Sequence, residues 1–455
     1  MTSAKLVIAT ALFAQLSLIS LSAFAQTTPT RAAVAFANLG GRDLLLDYYA
    51  PNAGTGTGRR PMVVWLHDGG WLSGSRALPA FVAPLRARGI AIASIDYRLT
   101  TEAGRYGANG VTFPAQIHDV KGAIRYLRAN AAEFNIDPAR IGAWGSSSGG
   151  HLAALAATSG NSPDLEGSVG GNTAVSSGLL AAVDYYGPTD LLQLTTDVTT
   201  PPGSIVDHDG TGAPGSLLLG FTAAGQGVGV LRANANNANA PFPFFIALAR
   251  SASPLSFVDA LDPPIYIVHG TADPQVAIRQ SERLRDALTS AGANPSYVAV
   301  PGGGHGGFAT SVHDGAINFL VEKLTAPPSF DITAAMTGAW YDPAQSGHGL
   351  FFEVLPEQRF LAWWFTFDPD GKQAWFGGVG TYSGNRATLT ALRTQGGRFI
   401  PNFNPANVTS PTWGTLTFTF SSCHSGLLEF SSDVGFGTGS MPLTRLTLPL
   451  GLSCP

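Results

Sequence analysis

A serine flanked by glycines, Gly145-Ser146-Ser147-Ser148-Gly149, stands between an apolar run and a stretch of small residues. A serine hydroxyl attacks a carbonyl when a base takes its proton, a third group orients that base, and N–H donors hold the developing oxyanion. Each part has a candidate. Ser147 holds the central place of Gly-x-Ser-x-Gly and is the candidate nucleophile, while Ser146 and Ser148 fail the spacing. In His67-Asp68-Gly69-Gly70-Trp71, the amides of Gly69 and Gly70 can approach an oxyanion unobstructed, and the Ser148 amide would complete the hole. Asp273 follows an apolar run and can reach a histidine, whereas Asp259 and Asp262 precede that run and belong at its other end. His305, among the glycines of 302–307, is the candidate base. His313 falls in the last helical pattern and reads as a surface residue, while His269 at a strand end suits a structural role. Bland readings stand beside these: a chance glycine-rich loop, a ligand-free turn at 67–71, and a helix cap at Asp273. Trp71 and Trp144 are candidate pocket walls, and Trp71 equally suits packing beneath its loop.

Loops of this kind need strand ends to hold them. Apolar runs predict strands at 61–66, 89–95, 141–144, 179–186, 265–268 and 297–300. Helical patterns fall between them at 78–88, 115–130, 151–158, 277–291 and 311–324. Ile117, Val120, Ile124 and Leu127 share one helical face. Strands alternating with helices predict an α/β fold with a mostly parallel sheet. Each candidate group then follows a strand, in the order Ser147, Asp273, His305 that the α/β-hydrolase arrangement uses. Residues 188–254 are irregular and rich in Gly, Asn and Pro. They read as an insertion over one sheet end, either a substrate lid or a plain surface loop.

Residues 41–324 resemble the bacterial bifunctional feruloyl and acetyl-xylan esterases, a group within the α/β hydrolases related to carboxylesterases. The resemblance is carried by His67–Trp71, Asp96-Tyr97-Arg98-Leu99, 113–120, 135–141, Gly145–His151, 186–190, 269–276 and 301–307. It implies ester hydrolysis without a cofactor or metal, and it carries the triad onto Ser147, Asp273 and His305. Departures are Asp68 in place of a glycine, a Gly-rich insertion at 104–111 and a longer one at 221–250. The same residues would suit an exported serine peptidase, which amide substrates would reveal.

The remaining chain bounds the setting. Its 455 residues suit two domains with processing segments. Charged residues are 12% and the net charge is −4 with no basic run, so nucleic acid has no electrostatic footing. Residues 1–25 read as an export signal, with Lys5, an apolar stretch at 6–21 and Ala23-Phe24-Ala25 as the cleavage site. The alternative is an uncleaved anchor, although Gln15, Ser17 and Ser20 interrupt the stretch. Export implies a periplasmic or extracellular location. The expected divisions are a leader at 26–40, the catalytic domain at 41–325, a linker at 326–330 and a smaller all-β domain at 331–455. The two cysteines, Cys423 and Cys454, would pair in an exported chain; otherwise they are free thiols. The β-rich tail is similar to an uncharacterised module of exported bacterial proteins, marked by Gly338–Tyr341 and Ser346–Gly349. Its Trp340, Trp363, Trp364, Trp375 and Trp413 either fill a small core or stack on a sugar polymer.

Overall fold

The computed structural model describes residues 28–53, 58–160, 162–198, 206–325 and 331–452. The expected signal at 1–25, the linker at 326–330 and Cys454 lie outside the described residues. The chain divides into two compact units, up to Thr325 and from Ala326 onward.

The first unit is built on an eight-stranded sheet in the order β1-β2-β4-β3-β5-β6-β7-β8. Its strands are β1 (Arg31–Leu39), β2 (Arg42–Tyr49), β3 (Arg60–Leu66), β4 (Ala91–Ile95), β5 (Ile136–Ser146), β6 (Ala181–Tyr185), β7 (Ile265–Gly270) and β8 (Ser296–Val300). β1 and β2 pair antiparallel, and β2 pairs antiparallel with β4. From β4 to β8 all pairs are parallel. The helices are α1 (Ala115–Ala129), α2 (Ser148–Thr158), α3 (Pro214–Leu219), α4 (Val228–Ala233), α5 (Phe242–Ser251), α6 (Arg279–Ser290) and α7 (Thr310–Thr325). This is the α/β-hydrolase arrangement.

Central parallel strands lie between helix layers, so both their faces are apolar. Met62, Val63, Val64, Trp65 and Leu66 are all buried, and α1 presses Ile117, Val120, Ile124 and Leu127 into one core. α2 is buried on every side, and its small residues Ala153, Ala154, Ala156 and Ala157 let it lie close to the sheet. Arg98 clasps the fully buried Asp119 of α1 through Nε and Nη2, at 2.8 and 2.7 Å, and so fixes the segment after β4. Removing one partner of such a buried pair would cost about 3–5 kcal/mol.

Three expectations need correction. Residues 31–39, expected as leader, form the edge strand β1. Its run of alanines and two register shifts hide the alternation that marks a strand. The helix expected at 78–88 is only a short 3-10 segment, Ala83–Arg88, because Pro79 and Pro84 interrupt the pattern. Residues 188–254 hold three short helices, α3 to α5, rather than irregular chain alone.

The second unit is a closed antiparallel barrel of eight strands. They are β9 (Gly338–Tyr341), β10 (Gly349–Leu355), β11 (Arg359–Phe367), β12 (Gln373–Ser383), β13 (Arg386–Leu392), β14 (Thr412–Ser422), β15 (Ser425–Ser432) and β16 (Thr438–Arg445). Alternate residues point inward, as the period of two requires. On β11, Phe360, Ala362, Trp364 and Thr366 are buried while Phe365 and Phe367 are exposed. Closure leaves no free strand edge. Of the five tail tryptophans, Trp340, Trp364 and Trp413 fill the core, Trp363 is half-buried, and Trp375 is 60% exposed.

Candidate active site

Four loops meet at the C-terminal edge of the parallel strands, following β3, β5, β7 and β8. β5 runs straight into Ser147, and α2 begins at the next residue. Ser147 sits at φ 52° and ψ −119°, a strained backbone for a residue with a side chain. Its N–H donates to Tyr185 O at 2.8 Å, which locks the turn to β6. The flanking glycines are there for contact. A Cβ on Gly145 would lie 2.1 Å from Gly149 O, and one on Gly149 would lie 2.1 Å from Leu66 O.

The structure brings Ser147, His305 and Asp273 into one hydrogen-bonded chain. His305 Nε2 lies 2.9 Å from Ser147 Oγ, and His305 Nδ1 lies 2.7 Å from Asp273 Oδ2. Asp273 Oδ1 accepts the backbone N–H groups of Gln275 at 2.8 Å and Val276 at 3.0 Å. Burial alone would raise the Asp273 pKa, but hydrogen bonds from His269 and His305 outweigh it and hold the carboxyl well below the usual range. The loops after β7 and β8 are themselves joined, since Ala272 N donates to Gly303 O at 2.8 Å.

The loop after β3 carries Gly69 at φ 110°, Gly70 at φ 63° and Trp71 at φ 61°. A Cβ on Gly69 would meet Ser73 O at 2.1 Å. Gly69, Gly70, Trp71 and Ser148 line a cavity of about 470 Å³ together with Ser147 and His305. The rest of its wall comes from Asp68, Leu72, Gln275 and Val276, and from Pro188, Leu194, Val206, His208, Pro214 and Gly215 of the irregular segment after β6. Trp71 does both things considered for it. It lines the cavity, and its Nε1 donates to His151 Nδ1 at 3.2 Å. Trp144, expected as a pocket wall, belongs elsewhere. It is fully buried and packs edge-on against Trp65 and Tyr185 within the core, because its place on β5 turns it away from the cavity.

Several supporting residues carry no motif that would announce them. His151, fully buried, lies 2.6 Å from Ala252 O through Nε2, and burial lowers its pKa to about 4. A neutral ring protonated on Nε2 satisfies Ala252 and accepts from Trp71 at once. Tyr186, in the left-handed region at φ 46°, rests against the His305 ring at 4.6 Å. Tyr97 donates to His67 O at 2.9 Å and lies 3.3 Å from Ser148 Oγ. His208 lines the cavity with Nε2 2.8 Å from Gln275 O. His269, taken as structural, is buried with Nδ1 2.7 Å from Ser281 Oγ, and its Nε2 also lies 3.2 Å from Asp273 Oδ2. His313 is half-buried in α7, stacked on Phe81 at 4.3 Å rather than standing free at the surface.

Comparison with known proteins agrees with this architecture. Esterase LipQ of Mycobacterium tuberculosis (strain ATCC 25618 / H37Rv) is 32% identical over 275 residues, covering 58% of this chain and 55% of LipQ. Esterase LipC of the same organism is 31% identical over 254 residues, covering 54% of this chain and 53% of LipC. The chain thus spans about half the length of these curated relatives. A truncated carbohydrate esterase from gut microbiota superposes with a TM-score of 0.53 at 31% identity, covering 66% of this chain and 98% of that one. The bifunctional GH43-CE protein of Bacteroides eggerthii superposes with the same TM-score of 0.53 at 31% identity, over 64% of this chain and 38% of that one. The BD-FAE family profile matches residues 46–288, more than half of the sequence, and the chain belongs to the BD-FAE family.

Proposed function

We propose that this chain is an exported serine carboxylic-ester hydrolase working through an acyl-enzyme. The observation that carries the reading is the unbroken hydrogen-bonded chain from Ser147 Oγ through His305 to Asp273, facing a cavity lined by the Gly69–Gly70 loop. His305 Nε2 takes the hydroxyl proton as Oγ attacks the ester carbonyl. The amides of Gly69, Gly70 and Ser148 stabilise the oxyanion. Asp273 fixes the His305 tautomer and offsets the imidazolium charge. His305 then gives its proton to the leaving alcohol, and water repeats the sequence on the acyl group.

The cavity volume suits a short acyl or single-ring aryl group. The similarity to a carbohydrate esterase supports acetylated or feruloylated polysaccharide as the ester source. Export is consistent with the proposed pairing of Cys423, which is buried, with Cys454. Contact with a polymer through the barrel would fall to outward-facing Trp375 and Phe365, and pull-down on xylan tests it. The function itself is tested by Ser147→Ala, which should abolish hydrolysis of p-nitrophenyl acetate with the circular dichroism unchanged. Substantial residual turnover would place the nucleophile elsewhere, and amide cleavage at comparable efficiency would make the chain a peptidase.

A further inference from the structure

The two ends of the β9–β16 barrel differ. At one end, beyond the β12–β13 turn, the segment entering the barrel folds back as a plug. Ile332 N donates to Gly384 O at 2.8 Å, and Ile332 and Met336 are buried in the barrel core with Phe360 and Phe420. The other end, where β11 stops at Phe367 and β14 starts at Thr412, holds a cavity of about 330 Å³. Trp364, Phe376, Trp413, Phe430 and Phe436 form much of its wall, and Met441 and a polar rim complete it.

This cavity has a chemical demand. The indole N–H groups of Trp364 and Trp413 are buried and have no hydrogen-bond acceptor among the described residues. Trp65 and Trp144 share that condition, but they lie in the filled hydrolase core, whereas Trp364 and Trp413 line a cavity. A buried donor without an acceptor is costly, and an oxygen on a bound molecule would satisfy it.

The rim narrows the choice of molecule. Most of its polar side chains are already engaged, His348 Nδ1 with Thr366 Oγ1 at 2.5 Å, Asp368 with Arg393 at 3.2 Å and Gln345 with Asp342 at 2.8 Å, and Ser440 adds one hydroxyl. Too few remain to satisfy the several hydroxyls of a pyranose. An aromatic box with two indole donors also compensates poorly for desolvating a carboxylate. Apolar residues surround the same end, since the loop from β13 to β14 exposes Phe399, Ile400 and Phe403.

We propose that the open end of the barrel binds a small neutral aromatic molecule, one substituted ring bearing carbonyl, ether or phenol oxygens. The ring lies among Trp364, Phe376, Trp413 and Phe430, and its oxygens accept from the two indoles. The site is separate from Ser147, and its occupancy does not depend on ester hydrolysis.

Isothermal titration of the full chain with acetovanillone, a neutral ketone and not an ester, tests this. Saturable binding is expected with a Kd on the order of 0.1 mM, given the size of the probe. Trp364→Phe and Trp413→Phe keep a ring and remove the N–H, and each should weaken binding roughly three- to tenfold. Both should leave p-nitrophenyl acetate turnover and the circular dichroism unchanged, and xylose should not bind. No saturable binding at millimolar probe would overturn the proposal. So would binding that both variants leave unaltered, which would move the site elsewhere, or xylose binding as tightly as acetovanillone.

Discussion

Asp273 Oδ2 meets His305 Nδ1 at 2.7 Å, and that contact decides which nitrogen of His305 faces Ser147. Asp273→Asn should therefore lower kcat for p-nitrophenyl acetate by roughly 10³–10⁴-fold with the fold intact. A loss under tenfold would remove Asp273 from its role. The depressed pKa of Asp273 fixes a pH dependence. Its stabilising contribution is complete above the unfolded carboxylate value of about 4 and is lost only as pH falls through the lower folded value. Asp273 therefore stays ionised on mild acidification, and activity lost there should return in full at neutral pH. Asp68 makes a different prediction. It lines the cavity beside Ser147 with a carboxyl group, and no Lys or Arg among the described residues lines that cavity. An ester bearing a carboxylate, such as p-nitrophenyl hemisuccinate, should be turned over about tenfold or more less efficiently than p-nitrophenyl butyrate. Asp68→Asn should narrow that gap, as kcat/KM for the pair would reveal. Ser147, Asp273 and His305 were legible in the sequence because glycines and strand ends mark them. His151, Tyr186 and His208 were not, because their contacts depend on segments distant in sequence, such as Ala252 against His151.

The loop after β3 is held by α2 through His151, which accepts from Trp71 and contacts Ala252. Protonation would place a second N–H against Trp71. Because the folded pKa of about 4 lies below the ordinary 6.5, the neutral ring stabilises the fold above pH 6.5, and that contribution is lost as pH falls toward 4. The loss is on the order of 3 kcal/mol for so buried a group. His151→Gln should flatten the decline of Tm between pH 6.5 and 4, while an unchanged decline would refute the assignment. Gly69→Ala should disturb the same loop, lowering kcat by about 10²–10³-fold. Among elements, the central strands were readable because burial on both faces makes them continuous apolar runs, as in Met62–Leu66. β1 was not, since its alanines and register shifts carry no clear period. In residues 188–254, helices such as α3 and α4 are too short for a helical period to emerge.

At the scale of the molecule, two units of different architecture share one chain. The second unit was expected as all-β, and the choice between core and surface for its tryptophans was left open; Trp340, Trp364 and Trp413 fill the core and Trp375 faces outward. Closure of the barrel and its single plugged end were not legible, because strand pairing around a ring leaves no local mark. The export reading predicts that the mature protein begins at Gln26, which N-terminal sequencing of the exported chain would check. No helix among the described residues is long and apolar enough to cross a membrane. The central claim, that Ser147 is the nucleophile of an acyl-transfer site, is tested most directly by covalent labelling. A fluorophosphonate should react stoichiometrically with the folded chain, and mass spectrometry should place the added mass on Ser147, with labelling lost in Ser147→Ala and His305→Ala. A folded chain that stays unlabelled, or that carries the label on another residue, would contradict the account.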